Sequence, residues 1–217
     1  PWSSKMIISS MVKNGAILCG FALLTTGLVA TINTLTADKI AEQEQLQLTN
    51  QLQEVLPHSK YSNELSQDCV IISDPLLGPY DNQVIYRARK DNEPVALVIR
   101  HVTPSGYSGD INLLSAVYRD GTIAGVRVTK HEETPGLGDK VEIKKSDWIT
   151  TFNAKTVQSE SDDRWAVKKD GGQFDQFTGA TITPRAVVGS VKNAVLYAQD
   201  NFDALFTAAN ACPEVTP

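Results

Sequence analysis

Asp110-Ile111-Asn112-Leu113-Leu114-Ser115-Ala116-Val117-Tyr118, then Arg119-Asp120-Gly121-Thr122, then Ile123-Ala124-Gly125-Val126-Arg127-Val128-Thr129 is two β-rich runs around an Asp-Gly pair. That is a strong local signal for a β-hairpin. Working outward, similar runs occupy 69–72, 83–90 and 94–102, and the two strands of the hairpin itself take 110–118 and 123–129. Asp91-Asn92 and Pro104-Ser105-Gly106 break them. Connections this short predict a mainly antiparallel sheet, because parallel pairing needs long crossovers. A short helix near 146–152 and a final helix over 184–206 follow the strands. Strands first and helices after them predict an α+β domain with flanking helices.

The whole chain has 217 residues, 41% of them hydrophobic and 21% charged, with a formal net charge of -5. This is room for one membrane segment and one medium-sized domain with its own core. No basic stripe accompanies the acidic balance, which argues against nucleic acid as a partner. The sequence opens on Pro1 rather than Met, with Met6 and Met11 as candidate native starts, so 1–5 stays out of the fold reasoning.

Between Lys13 and Asp38 runs NGAILCGFALLTTGLVATINTLTA, without a charge. As a helix it is roughly 36 Å long, against a hydrocarbon core of about 30 Å. Its Thr hydroxyls can bond back to helix carbonyls, so they are tolerated in a span. Lys5 and Lys13 precede the run, and Asp38, Glu42 and Glu44 follow it. The positive-inside rule then predicts a cytoplasmic N-terminus at 1–13, a transmembrane helix at 14–35 and everything beyond on the outer face. A cleaved signal is the competing reading, but the run is long for one and no A-x-A site follows. Ile40, Leu48, Leu52 and Leu56 recur at helical spacing up to Pro57, which predicts a connecting amphipathic helix over 36–57. The outer domain is then 58–217. With Cys19 in the span, Cys69 and Cys212 are the pair left in that domain, and an oxidising compartment predicts a disulfide between them.

Asp175-Gln176-Phe177-Thr178-Gly179-Ala180-Thr181-Ile182-Thr183-Pro184 carries the chemistry. Thr183 before Pro184 predicts a hydroxyl N-cap with proline at the first helical position. Thr181 then lies just ahead of a helix N-terminus, where free N–H groups and the dipole favour an anion. Gly179 and Ala180 leave space for something large to approach. A hydroxyl there can hold a phosphate, as a contact or as an ester; on these grounds alone an ordinary turn before a capped helix fits as well. No spacing among His58, His101, His131 and nearby Cys or carboxylates suggests a metal site, and there is no dinucleotide-binding fingerprint.

The Asp175-x-x-Thr178-Gly179-Ala180-Thr181 stretch resembles the flavinylation motif of the FMN-binding domain family. That family occurs in the sodium-translocating NADH:quinone oxidoreductase, in its C-subunit, and in the RnfG/RsxG proteins of the Rnf (Rsx) ion-translocating electron transport complex. His131-Glu132-Glu133-Thr134-Pro135-Gly136-Leu137-Gly138 and Gly106-Tyr107-Ser108-Gly109 are similar to further stretches of it. The likeness spans nearly the whole chain and is strongest to the RnfG/RsxG branch, notably over 146–150, 165–172 and 178–184.

The resemblance implies covalent FMN on Thr181 as a phosphoester, installed outside the cytoplasm by a flavin transferase that uses FAD and Mg²⁺. It also implies a domain in the periplasm of a bacterial inner-membrane protein. The implied partners are other membrane and iron-sulfur or flavin subunits of the Rnf complex. The implied function is an electron relay in an ion-translocating ferredoxin/NAD oxidoreductase, an enzyme as part of that complex, with activity of the isolated chain left open. Thr178, Gly179, Ala180 and Asp175 would sit beside the flavin, as would Glu133, Thr134, Pro135, Gly136, Leu137 and Gly138, with Leu137 against a ring face. Tyr107 would contact the ring or be a core aromatic. Lys168 or Lys169 would pair with the phosphate or the ring, and both read equally well as solvated surface charge. The alternative function is a stand-alone membrane-anchored flavin sensor, or a donor to an extracytoplasmic reductase.

Overall fold

A computed structural model describes residues 2–212 of the chain. Pro1 and 213–217, the two extremes of the expected N-terminal segment and outer domain, lie outside the described residues. The chain divides into two compact units, Pro1–Gln47 and Leu48–Pro217.

The first unit is helical. Helix α1, Trp2–Val55, runs through it without a break and supplies the first residues of the second unit. Its Met11–Ala37 stretch has a mean hydropathy of 2.0 and is long and apolar enough to cross a membrane. Several of the threonines within it bond back to their own helix. Thr25 Oγ1 donates to the Phe21 carbonyl at 2.9 Å, Thr31 to Gly27 at 2.8 Å and Thr36 to Ile32 at 2.8 Å. Each hydroxyl is thus hidden inside its own helix.

The second unit is built on five strands in the order β1-β2-β3-β4-β5, every neighbouring pair antiparallel. They are β1 Cys69–Ile72, β2 Gln83–Lys90, β3 Glu93–Thr103, β4 Ile111–Tyr118 and β5 Ile123–Lys130. The β2–β3 turn puts Asp91 at φ 52° and Asn92 at φ 69°, the left-handed pair that a type I′ turn requires. The β4–β5 turn is longer than a two-residue loop. Tyr118 N–H donates to the Thr122 carbonyl at 2.9 Å, Gly121 takes φ 80°, and the register slips between Ala116 and Val117. The Asp-Gly signal therefore marks a three-residue loop with a bulge.

Both faces of the sheet are covered, and the period-2 alternation of the strands divides them. Leu97 and Ile99 of β3 and Leu113 and Val117 of β4 point into a core shared with helix α2, Ile182–Thr207. The 3₁₀ turn Asp147–Phe152 closes that core, with Trp148, Phe152, Trp165, Phe174 and Phe177 forming one aromatic cluster. Ala96 and Val98 of β3 and Leu114 and Ala116 of β4 face the other way, onto Leu52, Val55 and Leu56 at the end of α1. There the helix backbone passes so close that a Cβ on Gly125 would lie 2.6 Å from the Val55 carbonyl. Of the apolar stripe expected over 36–57, Leu52 and Leu56 are buried here, while Ile40 is exposed. The observed architecture is the α+β sheet with flanking helices that the strand pattern predicts.

Candidate functional site

The start of α2 is where the sequence motifs meet. Phe177–Ala180 is a turn closed by Ala180 N–H donating to the Phe177 carbonyl at 3.1 Å, with Gly179 at φ 82°. A residue with a Cβ would be strained at that angle, and the Cβ would also stand 3.2 Å from Leu137 Cδ2. Glycine thus lets Leu137 close down over the turn.

The chain then enters α2 two residues earlier than the Thr183-Pro184 signature predicts. Thr181 is the N-cap residue, and its hydroxyl makes no capping hydrogen bond. The first helical amide bonded to the cap is Arg185 N–H, to the Thr181 carbonyl at 3.3 Å. Thr183 and Pro184 are inside the first turn and buried. The expected capping role of Thr183 is therefore corrected. Its hydroxyl is drawn away by a stronger acceptor and donates to Glu133 Oε2. Thr181 is left half-buried with a free hydroxyl at the positive end of a 26-residue helix.

A cleft of about 310 Å³ opens at this point, lined by Tyr107, Glu133, Thr134, Leu137, Gly138 and residues 179–183. All three motif stretches contribute to it. Leu137 and Tyr107 are both exposed at its mouth, and Ile182, also exposed, completes an apolar rim. Glu133 is only 4% exposed, and its Oε1 accepts Ser108 N–H at 3.1 Å. His131, which precedes it, is structural: Nε2 meets Glu142 Oε1 at 2.7 Å and Nδ1 accepts Glu133 N–H at 3.0 Å.

The remaining sequence candidates do not line the cleft. Lys168 Nζ and Asp175 Oδ1 pair with each other at 2.6 Å on the surface. The Asp175 carbonyl accepts the Trp148 indole N–H at 2.7 Å, which ties this segment to the aromatic cluster. Lys169 uses its backbone N–H to reach Gln176 Oε1 at 3.3 Å. Thr178, Pro135 and Gly136 are exposed in the turns that carry the lining residues. Arg185, next along α2, forms a two-pronged pair with Asp170 at 2.7 and 2.9 Å. The Arg185 guanidinium holds the Asp170 carboxyl below the usual carboxylate range. Two donors escaped the sequence reading, the buried Thr183 hydroxyl and the Ser108 amide. Nothing in their spacing signals the carboxylate that joins them.

A larger groove of about 610 Å³ lies on the far side of Ile182, between Pro75–Pro79, the end of β3 and the small face Ala186-Gly189-Ser190 of α2. Of the motif stretches it takes in only Ile182, which it shares with the cleft. Among the described residues no group of His, Cys, Asp and Glu is placed to bind a metal ion. Cys69 and Cys212 are joined in the structure, their Cα atoms 5.2 Å apart, within the range for a disulfide.

The cleft fits a phosphorylated ring system. It has a free hydroxyl and unpaired helix amides at one end, a backbone relieved of side chains at Gly138 and Gly179, and an apolar mouth. Residues 106–196, which hold every lining residue, match the family model described as the FMN-binding domain. Residues 6–55 match that of the RnfG N-terminal region. Similar curated proteins cover the chain almost end to end. The G-subunit of the ion-translocating oxidoreductase complex of Escherichia coli K12 is 50% identical over 208 residues, covering 96% of this chain and all of its own length. Its counterpart in Shewanella piezotolerans is 50% identical over 204 residues, 94% of this chain and 96% of that one. That of Vibrio cholerae is 46% identical over 206 residues, 95% and 99% respectively. With about half its residues shared along nearly the full length of such proteins, the chain belongs to the G-subunit family of ion-translocating oxidoreductase complexes.

Proposed function

We propose that this chain is the electron-relay subunit of a membrane-bound, ion-translocating ferredoxin/NAD oxidoreductase complex, carrying FMN as a phosphoester on Thr181. The observation that carries this reading is the free Thr181 hydroxyl at the start of α2, in a cleft walled by all three motif stretches. The relatives' names, which place them in an ion-translocating oxidoreductase complex, support the setting. The FMN-binding family match over 106–196 supports the cofactor. The apolar Met11–Ala37 helix supports a single membrane span, and the charge bias around it favours a cytoplasmic N-terminus with the flavin domain on the periplasmic side of the inner membrane.

When bound, the flavin supplies one-electron chemistry, and the protein supplies attachment, orientation and burial. In the attachment step Thr181 Oγ attacks the FMN-side phosphorus of FAD, presented by a flavin transferase. The new O–P bond replaces the anhydride bond, AMP leaves with the bridging oxygen, and the hydroxyl proton is released. Unpaired amides at the start of α2 and the helix dipole stabilise the phosphate charge. Gly138 and Gly179 would leave room for the cofactor, and Leu137, Ile182 and Tyr107 at the exposed mouth would hold its apolar ring. Electrons cross gaps between such exposed groups without atoms being transferred, so a relay needs access more than a substrate pocket.

The test is expression with the matching transferase, followed by a denaturing gel under blue light. Wild type is expected to give a fluorescent band and Thr181→Ala a dark one. A fluorescent Thr181→Ala band would move the attachment to Thr178 or Thr183, and a dark wild type with active transferase would overturn the reading.

A further inference from the structure

We propose that Glu133 is the positioning residue of the attachment site: its carboxylate holds the first turn of α2, and with it the Thr181 hydroxyl, in the attacking position against the Ser108 loop. The inference rests on Thr181 as the attachment residue. It follows from one group that touches three separate motif stretches. Glu133 stands in the second motif, accepts Ser108 N–H from the third at 3.1 Å, and accepts the Thr183 hydroxyl from the helix into which the first one runs. It is 4% exposed and has no Lys, Arg or His partner among the described residues. A buried carboxylate survives only if donors surround it. Here they are a backbone amide, a hydroxyl and the positive end of α2.

The glycines around it are explained by the same group. A Cβ on Gly138 would stand 2.7 Å from Glu133 Oε2 and 2.8 Å from Thr183 Oγ1. A Cβ on Gly106 would stand 2.8 Å from Glu133 Oε1 and 2.2 Å from the Gly109 carbonyl. At Gly138 the carboxylate is the nearest obstacle to a side chain, whereas at Gly106 the Gly109 carbonyl is nearer and the carboxylate second. Glu133 does not serve as a contact for the phosphate, since two anions repel and both carboxylate oxygens already have donors. It acts through Thr183, two residues along the helix from the nucleophile. Misplacing a reacting oxygen by about 1 Å can cost on the order of a hundredfold in rate.

The experiment measures the initial rate of fluorescent band formation with purified transferase, FAD and Mg²⁺. Glu133→Gln and Thr183→Val are each expected to slow attachment about tenfold or more, in kcat rather than in KM for FAD. Thr183→Ser, which keeps the hydroxyl, is expected to label at close to the wild-type rate. The double variant Glu133→Gln/Thr183→Val is expected to lose less than the two single losses multiplied together, because both changes act on one hydrogen-bonded group. Arg87→Ala, destabilised at the far end of α2, is the control for a loss of fold alone and is expected to label normally. Wild-type rates in both Glu133→Gln and Thr183→Val would overturn the proposal. So would equal slowing in Arg87→Ala. Should Glu133→Gln not fold, Thr183→Val and Thr183→Ser carry the comparison. Should wild type itself stay dark, the proposed function fails, and Glu133 is judged by amide exchange instead. Faster exchange at Ser108 and Arg185 in Thr183→Val supports positioning, and unchanged exchange refutes it.

Discussion

His101 on β3 is 1% exposed and bridges the sheet to the helix that carries the site. Its Nδ1 meets Ser190 Oγ of α2 at 2.8 Å and its Nε2 meets Ser115 Oγ of β4 at 2.8 Å. A neutral imidazole donates at one nitrogen and accepts at the other, which two serines can satisfy in either tautomer. Burial pushes its pKa down from 6.5 to about 3. The unfolded chain therefore binds a proton below about 6.5 that the native state excludes until about 3. Stability is full above that window and falls as pH drops through it, by up to about 1.4 kcal/mol per pH unit. Asp162 and Asp170, held low by Arg164 and Arg185, add their own loss only below the ordinary carboxylate value of 3.8. Urea unfolding of wild type and His101→Gln between pH 7 and 4.5 is expected to show a flatter pH slope in the variant. An identical slope would show that His101 takes no part. No sequence pattern announces this cluster, because the three residues come from β3, β4 and α2 and only tertiary packing joins them. The place of Thr181 at a helix start was legible for the opposite reason: hydroxyl, small residues and the helix-start signature are adjacent in the chain. Thr183 was misjudged as the cap because local capping rules contain no term for a carboxylate 50 residues away.

At the level of elements, α2 is fixed at both ends, and its far end depends on β2. Arg87, with a side chain 3% exposed, donates from Nη1 to the carbonyls of Leu205 at 3.1 Å and Ala208 at 2.6 Å. Its Nε reaches Asp68 Oδ1 at 2.6 Å. Arg89 takes the other Asp68 oxygen at 2.8 Å and the Phe206 carbonyl at 3.3 Å. Two guanidiniums thus satisfy the orphan carbonyls of the helix end and complement its negative pole. Arg87→Ala leaves the Leu205 and Ala208 carbonyls and one Asp68 oxygen without this partner, and the expected loss is about 2–3 kcal/mol. A lower urea midpoint with normal Thr181 labelling would confirm that the two ends of α2 have separate work. The strands were legible from β-branched runs and turn residues, because each lies between short, chemically marked turns. The end of α2 was also near its predicted place. That Arg87 and Arg89 belong to that end was not visible, since their roles follow from antiparallel register and a packed helix, not from neighbours in sequence.

For the molecule as a whole, the bond between Cys69 and Cys212 joins β1 to the far end of the described chain across a separation of 143 residues. The tail is also held by Ala211 N–H donating to the Cys69 carbonyl at 2.8 Å and by Asn210 Oδ1 accepting Cys69 N–H at 3.0 Å. A bond across so long a loop restricts the unfolded chain strongly, and Cys69→Ser/Cys212→Ser is expected to lower stability by about 2–4 kcal/mol. Thermal unfolding with and without reductant checks this. Wild type should fall to the level of the double variant when reduced, and a wild type indifferent to reductant would show that the thiols are free. The spacing of the two cysteines could suggest the pairing only by elimination, whereas the fold explains it through the tail returning to the first strand. Between these two cysteines the polypeptide is a closed ring, and α1 is the stem on its N-terminal side. A protease that cuts one exposed turn of the ring, such as the segment around Ser159–Ser161, would open the circle without releasing a fragment, and the nicked protein would still travel as one piece on the stem until its sulfurs were reduced.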